Sequence, residues 1–109
     1  MTPFAALHVP GNPLVLPNAW DAVSARIFEA AGFPAIATTS AGVAWALGYP
    51  DGERVDVDEM LAAIARIARV VGVFVSADVE AGFARDIDAL VAVMARVRDA
   101  GAVGVNVED

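Results

Sequence analysis

The chain has 109 residues, 58% of them hydrophobic, with 14 acidic side chains against seven arginines and a formal net charge of −7. That balance argues against nucleic acid and anionic membranes as partners, because phosphate neutralisation needs clustered cations, and no apolar run approaches the roughly 20 residues of a membrane span. With no Cys, no Lys and one His, disulfides, thiolate or histidine-cluster metal sites, a cysteine nucleophile, Schiff-base chemistry and a phosphate-loop lysine are also excluded.

What remains is oxygen chemistry from carboxylates, hydroxyls and backbone amides, the donor set that suits Mg²⁺ or Mn²⁺. The start, Met1-Thr2-Pro3-Phe4, lacks the basic region and cleavable apolar stretch of a secretory signal. The expectation is a cytoplasmic chain with one domain.

In chain order, Leu14-Val15-Leu16 reads as a first strand running into Asn18. A helix follows Asp21, with Val23, Ile27, Ala30 and Ala31 at helical spacing and Gly32 ending it before Pro34. Ile36-Ala37 forms a second strand that opens into Thr38-Thr39-Ser40, and a long loop spans Ala41 to Arg54. From Val55, Asp56 and Glu59 resemble a capping box, and Val55 with Met60 a hydrophobic staple. Leu61, Ile64, Ala65, Ala68 and Val71 line the inner face of that helix, Arg66 and Arg69 the outer, and Gly72 stops it.

The third strand, Val73-Phe74-Val75, leads to Asp78 and Glu80. After the loop from Val79 to Arg85, a helix over Asp86–Ala100 turns Ile87, Leu90, Val91, Met94 and Val97 inward. Gly101 closes it, and Val103-Gly104-Val105 runs into Glu108-Asp109.

Helix, Gly, strand and polar loop thus recur, and the strands are continuous apolar runs, as in parallel sheets buried on both faces. The fold class is α/β: residues 1–109 form a single partial domain of about four parallel strands, the N-terminal half of a (β/α)8 TIM barrel, ending at the fourth strand. An open four-stranded sheet with two bare edges is the alternative. In either case the polar residues after each strand gather at one rim, the end at which such folds carry their chemistry.

On that rim Asp78, Glu80 and Glu108 can converge on one metal ion, since clustered carboxylates are costly without a cation or shared protons. The competing reading is that they cap the following helices. Thr38-Thr39-Ser40-Ala41-Gly42 offers hydroxyls and amides for a carboxylate or phosphate, or is an ordinary turn and N-cap. Gly48-Tyr49-Pro50-Asp51-Gly52 reads as a turn, or as an active-site flap carrying an acid. Trp20 and Trp45 are taken as packing groups and His8 as a surface residue.

Taken together, Pro17-Asn18-Ala19-Trp20-Asp21, Glu29-Ala30-Ala31-Gly32-Phe33, Thr39-Ser40-Ala41-Gly42-Val43, Leu47-Gly48-Tyr49-Pro50-Asp51, Ala77-Asp78-Val79-Glu80-Ala81-Gly82-Phe83 and the closing Val105-Asn106-Val107-Glu108-Asp109 resemble the isocitrate lyase/phosphoenolpyruvate mutase superfamily. The resemblance implies a (β/α)8 barrel in which Mg²⁺ holds a 2-oxo acid or its enolate while a C–C or P–C bond breaks or forms. It makes Thr39, Ser40 and Ala41 the substrate-carboxylate loop, Asp51 the catalytic acid of a gating loop, Asp78 the principal metal ligand and Glu108 an acid of the metal's water shell. Ser76 stands where that pattern has a further aspartate, with Glu80 nearby to compensate.

The expected protein is therefore a Mg²⁺- or Mn²⁺-dependent lyase- or mutase-like enzyme, or a fragment of one, acting on a small 2-oxo or 2-hydroxy acid. The rivals are a catalytically silent half-barrel that assembles with copies of itself and a small open-sheet binding domain. Bare apolar edges make a homo-oligomer the expected state.

Overall fold

The computed structural model describes residues 3–109. Its four strands, β1 (Asn18–Ala19), β2 (Ala35–Thr38), β3 (Phe74–Asp78) and β4 (Gly104–Asn106), form one parallel sheet in the order β1-β2-β3-β4. Between them run α1 (Ala22–Ala30), α2 (Ser40–Leu47), α3 (Val57–Val70) and α4 (Ile87–Asp99). Sequential order with right-handed crossovers puts all the helices on one face. Val75 and Ala77 point into that helical layer and are buried, whereas Phe74, Ser76 and Asp78 alternate towards the other face and are only half-buried. The expectation of strands buried on both faces is met in β2, where Ala35 and Ile36 are both fully buried, but the face opposite the helices is more open along β3 and β4.

The core sits between sheet and helices in two clusters, one around Ile36, Ile67 and Val75, the other around Met60, Ile64, Val79, Val93 and Val97. On the open face Phe4, next to a short 3-10 turn (Ala5–Leu7), packs against Phe74 with ring centroids 6.0 Å apart. Gly104 makes room for it, since a Cβ there would stand 2.6 Å from the Phe4 ring. The N-terminal segment thereby covers the starts of β3 and β4 and leaves their ends free.

Several sequence expectations shift. The first strand is Asn18–Ala19, not Leu14–Leu16. Pro13 and Pro17 have no N–H to give to a ladder, and only the Pro17 carbonyl joins, accepting the Ala37 amide at 2.9 Å. The loop drawn from Ala41 to Arg54 contains α2, whose N-cap Thr39 accepts the Gly42 amide and whose C-cap Gly48 takes φ +89°. This helix has no polar face to betray it.

The capping box closes α1 instead of α3: Asp21 accepts the Ser24 amide while the Ser24 hydroxyl accepts the Asp21 amide. In α3, Asp56 caps the Asp58 amide alone. The α1 box turns Ser24 and Ala25 to the sheet, which leaves Val23 and Ile27 66% and 62% exposed. In α4, likewise, Val93 and Val97 are buried while Ile87 and Val91 face outward. Ile67, absent from the expected inner face of α3, is fully buried at its centre. Trp20 and Trp45 are exposed rather than packed, and His8 is at the surface as expected.

The turn from α4 into β4 gives a test of this packing. Gly101 has φ +110°, and a Cβ there would lie 2.8 Å from the Ala68 Cβ on α3. Gly101→Ala therefore combines backbone strain with a clash against an atom that cannot rotate away, and should cost about 2–3 kcal/mol. Urea titration checks this; a midpoint equal to the wild type would show that α3 and α4 are not packed as described.

Candidate active site

Parallel pairing sets Ala37, Ser76 and Gly104 side by side and brings Asp78 level with Asn106 at the strand ends. A cavity of about 270 Å³ opens there between Asn18, Thr38, Ser76, Asp78 and Asn106. Asp78 is its centre. The Ser40 hydroxyl donates to Asp78 Oδ2 at 2.7 Å and the Ser40 amide at 3.3 Å; the Glu80 amide donates to Oδ1 at 3.1 Å, and the Asp78 amide donates to Thr38 Oγ1 at 3.0 Å. The carboxylate is thus fixed from the first turn of α2 and from its own loop, while the end of β2 fixes the Asp78 backbone. A second cleft, about 560 Å³, lies at the strand starts among Phe4, Phe74 and Val103, with no carboxylate in it.

The remaining expected site residues divide. Thr39 caps α2 and lines a separate cleft with Trp20 and Trp45; Ala41 is half-buried on the first turn of α2. Glu80, at φ +53°, turns away from Asp78, and its Oε1 accepts the Gly52 and Glu53 amides at 3.1 and 2.9 Å. Glu108 donates its amide to the Glu80 carbonyl at 2.6 Å, but the residue lines another cleft, with Arg85 and Asp109. The expected convergence of Asp78, Glu80 and Glu108 is therefore not formed by their side chains, and among the described residues no three His, Cys, Asp or Glu side chains are grouped to hold a metal ion. Backbone amides have claimed the second carboxylate and topology has turned aside the third.

Asp51 lies beside Glu80. Burial first of all raises the Glu80 carboxyl above its ordinary 4.5, and the nearby Asp51 carboxyl adds to this, against the lowering effect of the Glu53 and Gly52 amides. At the start of the same loop the Glu59 carboxylate, by hydrogen bonding and charge, raises the Tyr49 phenol above 10.0.

This fold and rim define a βα-barrel segment with its polar groups at the strand ends. The sequence profile for phosphoenolpyruvate phosphomutase matches residues 4–109, and the chain belongs to that family. An uncharacterized Mycobacterium tuberculosis protein is 42% identical over 106 residues, which are 97% of this chain and 40% of the relative. A provisionally assigned phosphonomutase from Burkholderia cenocepacia superposes with a TM-score of 0.95 at 40% identity, over 97% of this chain and 42% of that one. Phosphoenolpyruvate phosphomutase from Streptomyces platensis gives 0.87 at 28% identity, over 97% and 36%. The chain spans about two fifths of the length of these relatives, so its four strands are part of a barrel. No described helix is long and apolar enough to cross a membrane.

Sequence reasoning missed the roles of Thr38 and Glu53. Thr38 was visible only as one of a hydroxyl run; what singles it out is its place beside β3, a fact of topology. The pKa of Glu80 carries a consequence for stability. Because its folded value is raised, the folded chain holds this proton more tightly than the unfolded one, and the resulting stability is present below 4.5 and lost as pH rises through the folded value. Relative to Glu80→Gln, the wild type should lose stability as pH rises above 4.5, as urea midpoints at a series of pH values will show; parallel profiles would mean that Glu80 is not perturbed by folding.

Proposed function

We propose that this chain carries the metal- and carboxylate-binding rim of a Mg²⁺-dependent lyase- or phosphonomutase-like enzyme that breaks or forms a C–C or P–C bond in a small 2-oxo or 2-hydroxy acid through an enolate. The observation that carries this reading is Asp78, an acid oriented by three separate backbone and hydroxyl donors at the mouth of a polar cavity. The donor set fits the ion. Among the described residues Oδ1 of Asp78 accepts one hydrogen bond, from the Glu80 amide, and Mg²⁺ typically takes one or two carboxylates and completes its shell with water and substrate oxygens. Asp78 would hold it directly, with Glu80 and Glu108 reaching it only through water. When bound, the ion supplies positive charge to the carboxylate and 2-oxo oxygens of the substrate.

The chain's own groups do the rest. The Ala41 amide, in the first turn of α2, favours a substrate carboxylate with the help of the helix dipole, whereas the Ser40 amide is already donated to Asp78. The Ser40 hydroxyl is committed to Asp78, so it orients the metal ligand and not the substrate. Asp51, on an exposed loop beside Glu80, is the acid available to close over substrate. Asp78→Asn should weaken Mn²⁺ binding by an order of magnitude or more, measured by calorimetry; equal affinity in the two proteins would remove Asp78 from the metal site.

A second reading rests on the sheet edge. Val105 in β4 and its flanking Val103 and Val107 are 46%, 51% and 43% exposed, and β1 at the other edge is two residues long. Two copies pairing these edges would cover them in a closed homo-oligomer. On this reading the 109-residue chain self-associates at micromolar concentration and turns over no 2-oxo acid in a panel; sedimentation as a monomer with cooperative unfolding would overturn it.

A further inference from the structure

Among the described residues, three that are not glycine have positive φ: Glu53 at 58°, Glu80 at 53° and Phe83 at 55°. L-residues avoid this region, and such strain persists where surrounding contacts over-determine it. All three belong to one reciprocal contact between the loop after α2 and the loop after β3. Glu80 reaches across to the amides of Gly52 and Glu53, at 3.1 and 2.9 Å, and Glu53 reaches back to the amide of Phe83 at 2.9 Å.

Each side is built alike. Gly52 at φ +97° precedes Glu53, and Gly82 at φ +93° precedes Phe83. The successive Gly52 and Glu53 amides converge on a single oxygen, Glu80 Oε1, in the manner of an anion-binding backbone nest. The grip is anchored at both ends. Phe83 packs against the main core cluster, the Glu80 amide is bonded to Asp78 and the Glu80 carbonyl to the Glu108 amide. Two ordinary surface turns would need none of this strain, since a type I turn of all-negative φ serves most loops.

We propose that Glu80 and Glu53 form one two-sided latch that fixes the loop bearing Asp51 against the Asp78 loop, which makes Glu80 a positioning residue for Asp51. Its catalytic consequence rests on the function proposed above; the latch itself does not. Asp51 stands directly before Gly52, so the loop cannot swing its acid away from the Asp78 rim without breaking both amide bonds to Glu80. Glu80 thus serves Asp78's neighbourhood through the opposite loop, a role distinct from completing a metal shell.

Amide hydrogen exchange on the 109-residue chain, without metal or substrate, tests the latch. Glu80→Ala should speed exchange at Gly52 and Glu53 about tenfold and should also speed Phe83, whose partner Glu53 is released, while the Ala37 amide in the sheet keeps its rate. Glu53→Ala should free Phe83 and, through the same loop, Gly52; Glu80→Gln, which keeps the acceptor oxygen but not its charge, should fall between wild type and Glu80→Ala.

Wild-type rates at Gly52 and Glu53 in Glu80→Ala would overturn the proposal. So would an unchanged Phe83, which would show two independent contacts. If Glu80→Ala unfolds the chain, Glu53→Ala decides, with an unchanged Gly52 rate counting against the latch. Mn²⁺ affinity, read separately on Asp78→Asn, bears on the metal site alone, so either idea can fail while the other stands.

Discussion

Parallel register is the constraint on which the site depends. Because β2, β3 and β4 run the same way with Ala37, Ser76 and Gly104 in line, Thr38 and Asp78 reach the same end of the sheet. There the Thr38 hydroxyl can accept the Asp78 amide and α2 can begin next to the Asp78 carboxylate. A slip of one residue in β3 would turn Asp78 into the helical layer and Ala77 out of it. The burial of Ala77 and Val75 against the helices is thus what aims the acid at the cavity.

How much was legible follows from the same physics. The βαβ order, the helix stops at Gly32 and Gly101 and the gathering of polar groups at one rim are local or periodic signals, and they are found in the structure; α3 instead ends at Val70, with extended Val71 as its cap ahead of Gly72. The phase of α1 was not legible, because the apolar row Val23 and Ile27 outweighs in hydropathy a capping box that in fact turns Ser24 and Ala25 inward. Nor was α2, which is apolar on every side and defined by its caps, Thr39 and Gly48. In the site, Asp78 and Ser40 were found as residue types; their bond joins positions 38 apart in sequence. Spacing along the chain does not encode it.

The fate of Glu80 shows why counting carboxylates at strand ends overstates a metal site. Spacing alone lets an acid two residues beyond Asp78 turn towards the same ion. Backbone amides compete for it: the left-handed turn at Glu80 sends the carboxylate to the nest at Gly52 and Glu53. Each of those bonds is charge-assisted and therefore stronger than a neutral one.

That arrangement has an electrostatic cost that the loop itself sets. The amides that grip Glu80 lower its pKa, but burial and the adjacent Asp51 raise it further, and the raising effects prevail. The gripped Glu80 carboxyl therefore favours its proton more than an ordinary glutamate does. The backbone grip on Glu80 thereby serves two ends at once: it holds the loop in place, and it keeps beside Asp51 a carboxyl that retains its proton to higher pH than an ordinary glutamate.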